Sequence, residues 1–541
     1  MLKGKLPLVL IIVLAAFLRF YQLGVNPPGL NWDETAHGYN AYSILKTGRD
    51  EYGYFMPLSF RSFDDYKPPL YTYLVVPSVA IFGLNSFAVR FPSALLGILA
   101  VLFTYLMVLQ LFKNRALALL SAFFLAVSPW HLQFSRVAFE SNGAVFWSVL
   151  ATWAFLKGVQ DSTKKKFVLF ICLSVFAFGA NLFMYHNSRV FVPLFVIVLI
   201  FLFRKTLLTN IKYLIVPALI ASIFVLTLIP ILFSASGQTR YKGTTIFALE
   251  GPKYKNTEQL KIDADNHMGQ VGRLFHSRYF VYAPMMIENY LSHLRPEYLF
   301  FTADMERHHV PLMGILYLWD LPFILAGIYF LVKKPYAGTT KIIVFWWFLL
   351  APVAASVTWG VPHSLRTAIY LPIFQIFIAL GIFNLYKIVK YKRGFVTIVA
   401  ILFVANFAFY LLQYYVQMPV MFSKSWYGEL KEAVATTESL KHKYKKIVVS
   451  TDIEQPYMFW LFYSNYDPKI YQKNGGTVSG GYDEQRNKFD KYVFQRFDRY
   501  KRDENPEILY VGIPHDFTSE AKVIKKIYRL DGSEAIYIVG S

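Results

Sequence analysis

The chain has 541 residues, of which 55% are hydrophobic and only 16% are charged. A soluble chain has about 25% charged residues, so too few charges remain here to solvate the surface of a soluble protein. The formal net charge is +21, but the lysines and arginines lie mostly in short loops between apolar runs. Membrane topology explains them better than a nucleic-acid partner does. The composition therefore predicts a protein surrounded by membrane lipids, with no nucleic acid among its partners.

Apolar runs near the roughly 20 residues needed to cross a bilayer recur along the first three quarters of the chain. They predict about eleven transmembrane helices, at residues 6–23, 89–111, 116–130, 142–156, 167–183, 190–203, 211–233, 312–332, 342–359, 365–387 and 395–416. The first run follows basic residues, as a signal peptide does, but it lacks a small-residue cleavage site, so we expect it to be retained.

One further apolar stretch, residues 70–84, is short and contains Pro77. If it lies at the interface as a juxtamembrane helix, every lysine-rich short loop is on the same side as Lys3 and Lys5, as the positive-inside rule requires. If it crossed, all later basic clusters would be outside. We therefore expect a cell-membrane protein with a cytoplasmic N-terminus and with outer loops at residues 24–69 and 234–311.

The predicted fold is mainly α: a polytopic helical membrane bundle, residues 1–416, followed by an extracytoplasmic domain, residues 417–541. The tail is polar and has β-type runs at residues 446–450, 508–513 and 535–539, separated by helix-like segments. This pattern is typical of a small α/β domain. The single cysteine, Cys172, excludes an intramolecular disulfide and a cysteine-based metal site.

The first outer loop is the segment richest in candidate functional residues. Asp33 and Glu34 follow the first span, with Trp32 as an interfacial anchor, so a carboxylate is expected near the depth of the lipid headgroups. There it could accept a proton from an acceptor hydroxyl. The alternative is helix capping, because Asp33 and Thr35 both suit the start of a helix.

Lys67 precedes two prolines, which fix the backbone at the entry to the juxtamembrane stretch. A lysine held at the boundary between water and lipid suits a phosphate group. The alternative is a snorkelling lysine that binds lipid headgroups without specificity.

The stretch of residues 31–90 resembles the GT-C superfamily of integral-membrane glycosyltransferases, in particular the protein O-mannosyltransferase and aminoarabinose-transferase-like family. It contains WDE after the first span, then YKPPLYTYL, and then GLNSFAVRFPSALLG at the start of the second span. The resemblance implies that Asp33 is the catalytic carboxylate and that Lys67 binds the donor's phosphate. Aminoarabinose transferases have a metal-binding acidic residue before Lys-Pro-Pro, where this chain has Tyr66, so no obligatory metal or other cofactor is expected.

Further ionisable and polar residues lie at the outer ends of predicted spans, where such groups are costly unless they are paired or functional. Arginines there suit a phosphate, because the guanidinium donates two parallel hydrogen bonds to its oxygens; for Arg136 and Arg189, interfacial anchoring is the alternative. A metal bound by the adjacent His308 and His309 is not expected, since their side chains diverge. The candidate substrate-binding residues, besides Lys67, are Glu34, His37, Arg136, Glu140, Tyr185, His186, Arg189, His363 and Arg366.

These features predict an inverting glycosyltransferase that moves a sugar from a polyprenyl-phosphate donor to a protein, lipid or glycan acceptor. Asp33 would take the acceptor's proton, while Lys67, Arg366 and His363 would neutralise the charge that builds on the departing phosphate. The alternative is a transporter or flippase of lipid-linked sugars. Transporters usually place polar groups near the bilayer midplane, whereas here these groups gather at the outer ends of the spans. The identity of the sugar and of the acceptor stays open.

Overall fold

The computed structural model describes residues 5–160, 163–481, 483–497 and 505–540. Lys3, one of the basic residues used above to orient the N-terminus, lies outside these ranges. The described chain is mainly α-helical with a small C-terminal sheet, as the sequence predicts. It divides into two compact units, which are described separately below.

Six described helices are long and apolar enough to cross a membrane, and up to eight spans result if each of two bent helix pairs counts as one. The chain is therefore a multi-pass membrane protein. Three other predicted spans coincide with the helices Leu6–Phe20, Glu140–Gln160 and Asp320–Lys333, which do not meet the same test, so the number eleven stays a prediction. The six helices are Ser86–Phe112, Lys164–Leu182, Ser188–Thr209, Ile211–Phe233, Gly338–Ser356 and Lys392–Met421, and the bent pairs are Arg115–Ala126 with Pro129–Ser135 and Ser364–Tyr370 with Ile373–Ile388.

The first unit comprises Met1–Ile11, Leu99–His131 and Ala144–Asn406. In its interior the helix Asp320–Lys333 packs on Ile373–Ile388. The two backbones approach closely at Gly327, where a Cβ atom would lie 1.9 Å from the carbonyl oxygen of Phe377. The predicted outer loop of this unit, residues 234–311, is itself helical, with the helices Ala235–Thr244, Glu250–Asp265, Gly269–Phe275, Arg278–Ser292 and Glu297–Thr302.

The second unit comprises Ile12–Ile98, Leu132–Gly143 and Phe407–Ser541. The first outer loop, which belongs to it, begins with the helix Trp32–Thr47. Strands β1 (Phe60–Ser62) and β2 (Asp65–Lys67) then form an antiparallel hairpin. The helix Leu70–Phe82 follows, at the place of the predicted juxtamembrane helix; its position outside the spans stays a prediction.

The tail forms the predicted α/β arrangement within the same unit as the first outer loop. Helices Gly428–Leu440, Pro456–Tyr463 and Pro468–Lys473 accompany a six-stranded sheet. Its strands are β3 (Lys446–Val449), β4 (Lys488–Phe489), β5 (Tyr492–Phe494), β6 (Ile508–Gly512), β7 (Val523–Tyr528) and β8 (Glu534–Gly540). Their order is β4-β5-β3-β6-β8-β7. Strand β3 runs parallel to its neighbours β5 and β6, and the other pairs are antiparallel.

Candidate active site

An ion pair joins the first turn of helix Trp32–Thr47 to the end of strand β2. The Lys67 ammonium donates to Asp33 Oδ1. The Asp33 side chain is 40% exposed, whereas that of Lys67 is 11% exposed. Asn31 is the N-cap of this helix and accepts a hydrogen bond from the Glu34 amide. Because Asn31 caps the helix, the Asp33 carboxylate is left to face solvent and its lysine partner.

A second pair lies one turn further along the same helix. His37 Nε2 lies 3.1 Å from Glu140 Oε1, and its Nδ1 lies 2.8 Å from the Thr72 hydroxyl. Residues four apart share one helix face, so Asp33 and His37 project to the same side. The Lys67 ammonium also attracts the Glu140 carboxylate. The structure therefore groups four predicted site residues into one cluster: Asp33, Lys67, Glu140 and His37.

Glu34 is fully buried, and its carboxylate is held by a network inside the unit. Arg90 donates two hydrogen bonds to it, from Nε at 2.8 Å and from Nη2 at 3.1 Å. The amides of Asn31 and Ala138 also donate to its oxygens. These partners give Glu34 a structural role, and its predicted contact with substrate is untested.

Arg136 is also buried, at 1% exposure. Its guanidinium donates to the carbonyl oxygens of Leu18, Arg19 and Asn26 and to the Tyr414 hydroxyl. It therefore ties the end of the first helix to the chain around Asn26 and Tyr414. Its role as a phosphate ligand likewise stays a prediction.

The remaining predicted site residues belong to the first unit. Arg189 approaches His186 Nδ1 at 3.1 Å and donates to the Leu182 carbonyl, while Tyr185 beside them is buried. The Asn187 side chain donates to the backbone carbonyl of Arg366. The structure thus brings the turns around residues 186 and 366 together.

The Arg366 guanidinium lies in the same turn region and donates to the Thr358 hydroxyl and the Trp359 carbonyl, both at 2.6 Å. These bonds fix its orientation near the outer end of a predicted span.

Asp304, His308 and His363 form a compact group in this unit, and it is the group of potential metal ligands found among the described residues. Burial opposes ionisation of Asp304, but His308, His363 and a hydrogen bond from Ser364 hold the pKa of its carboxyl below the usual value. Burial, together with the nearby His308 and Arg366, holds the pKa of His363 well below its usual range. At neutral pH the group therefore presents a carboxylate beside a neutral His363 ring.

Sequence reasoning did not identify several of these partners. Thr72 and Arg90 lie within the segment singled out by its motifs, but nothing in their spacing indicates that they bond to His37 and Glu34. Asp304 stands four residues before His308, but this segment lies between the described helices Glu297–Thr302 and Asp320–Lys333, so helical periodicity does not link the pair. His363 is distant along the chain, and no local pattern links it to Asp304.

Residues 66–229 match the family model described as dolichyl-phosphate-mannose-protein mannosyltransferase. The segment contains Lys67, Arg136, Glu140 and the turn at Tyr185 to Arg189, but not Asp33. A curated relative, "Putative mannosyltransferase YkcB" of Bacillus subtilis (strain 168), is 28% identical over 167 residues, which are 29% of this chain and 22% of YkcB. The match thus spans about a fifth of that protein's length.

Two solved structures share the fold over most of the chain. ArnT from Cupriavidus metallidurans, bound to undecaprenyl phosphate, has a TM-score of 0.57 at 11% identity and covers 99% of this chain and 98% of its own. The oligosaccharyltransferase AglB of Archaeoglobus fulgidus, in complex with an inhibitory peptide and a dolichol-phosphate, has a TM-score of 0.51 at 14% identity, covering 94% and 69%. Residues 66–229 are therefore similar to the mannosyltransferase family model, and the chain shares the fold of these two structures.

Proposed function

We propose that the chain is an inverting glycosyltransferase that moves a sugar from a polyprenyl-phosphate donor to an acceptor at the extracytoplasmic face of the membrane. The observation that carries this proposal is the ion pair between Asp33 and Lys67 beside the pair of His37 and Glu140. The descriptions of the similar structures, which bind undecaprenyl phosphate or a dolichol-phosphate, support a lipid-phosphate donor.

The reaction is a single displacement at the anomeric carbon. An acceptor oxygen attacks that carbon, the bond from carbon to the phosphate oxygen breaks, and the polyprenyl phosphate leaves with the electron pair. The Asp33 carboxylate takes the acceptor's proton as the new bond forms. Lys67 stabilises the charge on the departing phosphate, the term that usually contributes most to such catalysis.

Binding of the donor's phosphate to Lys67 would also release the Asp33 carboxylate to act as the base. Lys67 holds Asp33 in the structure, and a phosphate group would compete with Asp33 for the same ammonium. When the phosphate takes the lysine, the Asp33 carboxylate becomes free for the acceptor proton. Glu140, which contacts His37, still attracts the Lys67 ammonium after Asp33 has been released.

A transfer assay tests the proposal. Purified protein in liposomes would receive a panel of radiolabelled polyprenyl-phosphate sugars and a membrane extract as the source of acceptor. We expect released polyprenyl phosphate and labelled acceptor in equal amounts. The Asp33→Asn variant should lose roughly 10²–10⁴-fold in turnover, the range for a positioned general base.

The matched control is Asp64→Asn, which removes an exposed carboxylate from the turn of the hairpin β1–β2 and should leave turnover unchanged. A variant Asp33→Asn that is folded and fully active would overturn the assignment of the base. Movement of donor between leaflets without any new glycosidic bond would instead identify a flippase.

A further inference from the structure

We propose that Asp304, His308 and His363 form a binding site for a divalent transition-metal ion of the zinc class. The site belongs to the first compact unit and does not depend on the proposed transfer reaction. The sequence predicts no obligatory metal, from Tyr66 before Lys-Pro-Pro, and no metal bound by the adjacent His308 and His309. The structure instead combines His308 with Asp304 and with a histidine from another segment.

The distances suit a small cation. One ligand atom from each of the three residues lies within 4.8 Å of the other two. Asp304 Oδ2 is 2.8 Å from His308 Nδ1 and 3.6 Å from His363 Nδ1. In a tetrahedral zinc site with bonds of about 2.1 Å, ligand atoms stand about 3.4 Å apart. Small rotations of these side chains are therefore enough to admit the ion.

The three side chains are largely buried and are oriented by neighbours. The exposed fractions are 7% for Asp304, 5% for His308 and 16% for His363. The other carboxylate oxygen of Asp304 accepts the Ser364 hydroxyl at 2.5 Å, and the Ser364 amide donates to Oδ2 at 3.0 Å. Such supporting hydrogen bonds are the usual means by which proteins orient metal ligands.

One nitrogen in the group lacks a hydrogen bond. Within the part of the chain that the structure describes, His363 Nδ1 is buried and has no hydrogen-bond partner, although the His363 amide donates to His293 Nε2 at 3.1 Å. His363 Nδ1 is one of several such buried atoms, but it lies 3.6 Å from Asp304 Oδ2 and so faces the other two candidate ligands. A metal ion coordinated by Nδ1 satisfies it, because a neutral imidazole binds through its free lone pair.

The donor set selects the class of ion. Two imidazole nitrogens and one carboxylate oxygen suit zinc and similar transition metals, whereas magnesium and calcium prefer oxygen ligands alone. Three protein ligands leave one position for water or another oxygen ligand. Bound there, the ion would tie the end of the second outer loop to the turn that leads to Arg366.

His309 provides a matched control for this site. It is adjacent to His308 in sequence, but its Nδ1 lies near the carbonyl oxygens of Val310 and Met313. The His309 Nδ1 atom therefore contacts backbone oxygens and is not one of the three candidate metal ligands.

The test uses the full chain, purified in detergent through a tag that contains no histidine, stripped with a chelator and then given zinc or cobalt alone. We expect one zinc ion per chain after gel filtration, and a cobalt absorption spectrum typical of four-coordinate sites. Asp304→Asn and His363→Ala should abolish stoichiometric uptake, and Ser364→Ala should weaken affinity by roughly 10- to 100-fold. His309→Ala should bind zinc as the unaltered chain does.

Zinc should also raise the melting temperature of the unaltered chain and of His309→Ala, but not of Asp304→Asn, because a ligand stabilises only a form that binds it. An unaltered, monodisperse chain that retains no zinc and gives no cobalt spectrum would overturn the proposal, whatever the variants do. Equal uptake by the unaltered chain, Asp304→Asn and His363→Ala would overturn it too.

Discussion

A sequence motif can predict which single residues have a function, but it does not predict which residues they bond to in the folded chain. The motifs predicted roles for Asp33 and Lys67, whereas the grouping of these two with Glu140 and His37 is visible only in the folded chain. Partners such as Arg90 for Glu34 could not be predicted, because an ion pair between distant residues leaves no periodic pattern. Burial then separates the two neighbouring acids: Asp33 faces solvent, while Glu34 is enclosed.

The enclosed pair of Glu34 and Arg90 predicts a large effect on stability. Replacing Arg90 in Arg90→Met leaves the buried Glu34 carboxylate without its counter-charge and frees the carbonyl oxygens of Pro27 and Gly29. Breaking a buried pair in this way costs about 3–5 kcal/mol. Thermal unfolding in detergent should show a much lower melting temperature and a poor yield of monodisperse protein.

The comparison for this prediction is Arg273→Met, because Arg273 is exposed and such surface changes stay within about 0.5 kcal/mol. If Arg90→Met melted at the temperature of Arg273→Met, the structural role assigned to Glu34 would be wrong, and a direct contact between Glu34 and substrate would gain support.

For helices and strands, long periodic segments were predictable and short ones were not. The strands β3, β6 and β8 were identified from their apolar runs. Strands β4 and β5 contain two and three residues, too few for a pattern. In β7 (VIKKIY), two adjacent lysines interrupt the apolar residues, so it has neither an apolar run nor a regular alternation. The predicted span 312–332 begins before its helix, which starts at Asp320, because an apolar run has the same composition whether it is helical or not.

In the helix Trp32–Thr47, we expect a glycine-to-alanine substitution to destabilise the protein, which is the opposite of its usual effect in a helix. Replacing a helical glycine with alanine normally stabilises a helix by about 1 kcal/mol. At Gly38, however, a Cβ atom would lie 2.4 Å from the ring of Phe462 and 2.7 Å from a methyl group of Val89. Gly38→Ala should therefore destabilise the protein by about 1–3 kcal/mol through overpacking, measured by thermal unfolding.

Lys46→Ala, at an exposed position of the same helix, should leave the melting temperature nearly unchanged. A Gly38→Ala variant more stable than the unaltered chain would show that the helix does not pack as closely on Phe462 as the structure has it.

For the whole molecule, the composition and the length of the apolar runs predicted membrane residence and the fold class. They did not predict that the tail packs in one compact unit with the first outer loop. The tail shares its compact unit with the first outer loop. Within this unit the Glu51 carboxylate accepts hydrogen bonds from the side chains of Asn40 and Thr477. Thr477 lies in the tail, so a buried acid in the loop links segments that are far apart in sequence.

This buried acid predicts a dependence of stability on pH. Burial raises the pKa of Glu51 from 4.5 to about 7. Between these values the folded chain keeps a proton that the unfolded chain has lost, so stability falls as pH rises. The shift corresponds to about 3 kcal/mol over that window. The melting temperature in detergent should decrease between pH 4.5 and pH 7 by more in the unaltered chain than in Glu51→Gln.

Glu520→Gln, which alters an exposed acid of the tail, should keep the pH dependence of the unaltered chain. An identical pH dependence in Glu51→Gln would mean that the Glu51 carboxyl titrates at the same pH in the folded and unfolded states.

The central claim is that the donor's phosphate takes Lys67 from Asp33, and the direct measurement is the affinity of the purified chain for undecaprenyl phosphate. Lys67→Met should weaken binding by roughly tenfold or more, since it removes a charged hydrogen bond to the phosphate. Asp33→Asn should bind at least as tightly as the unaltered chain, because it removes the competitor for the lysine. Unchanged affinity in Lys67→Met, or an equal loss of affinity in both variants, would contradict the account.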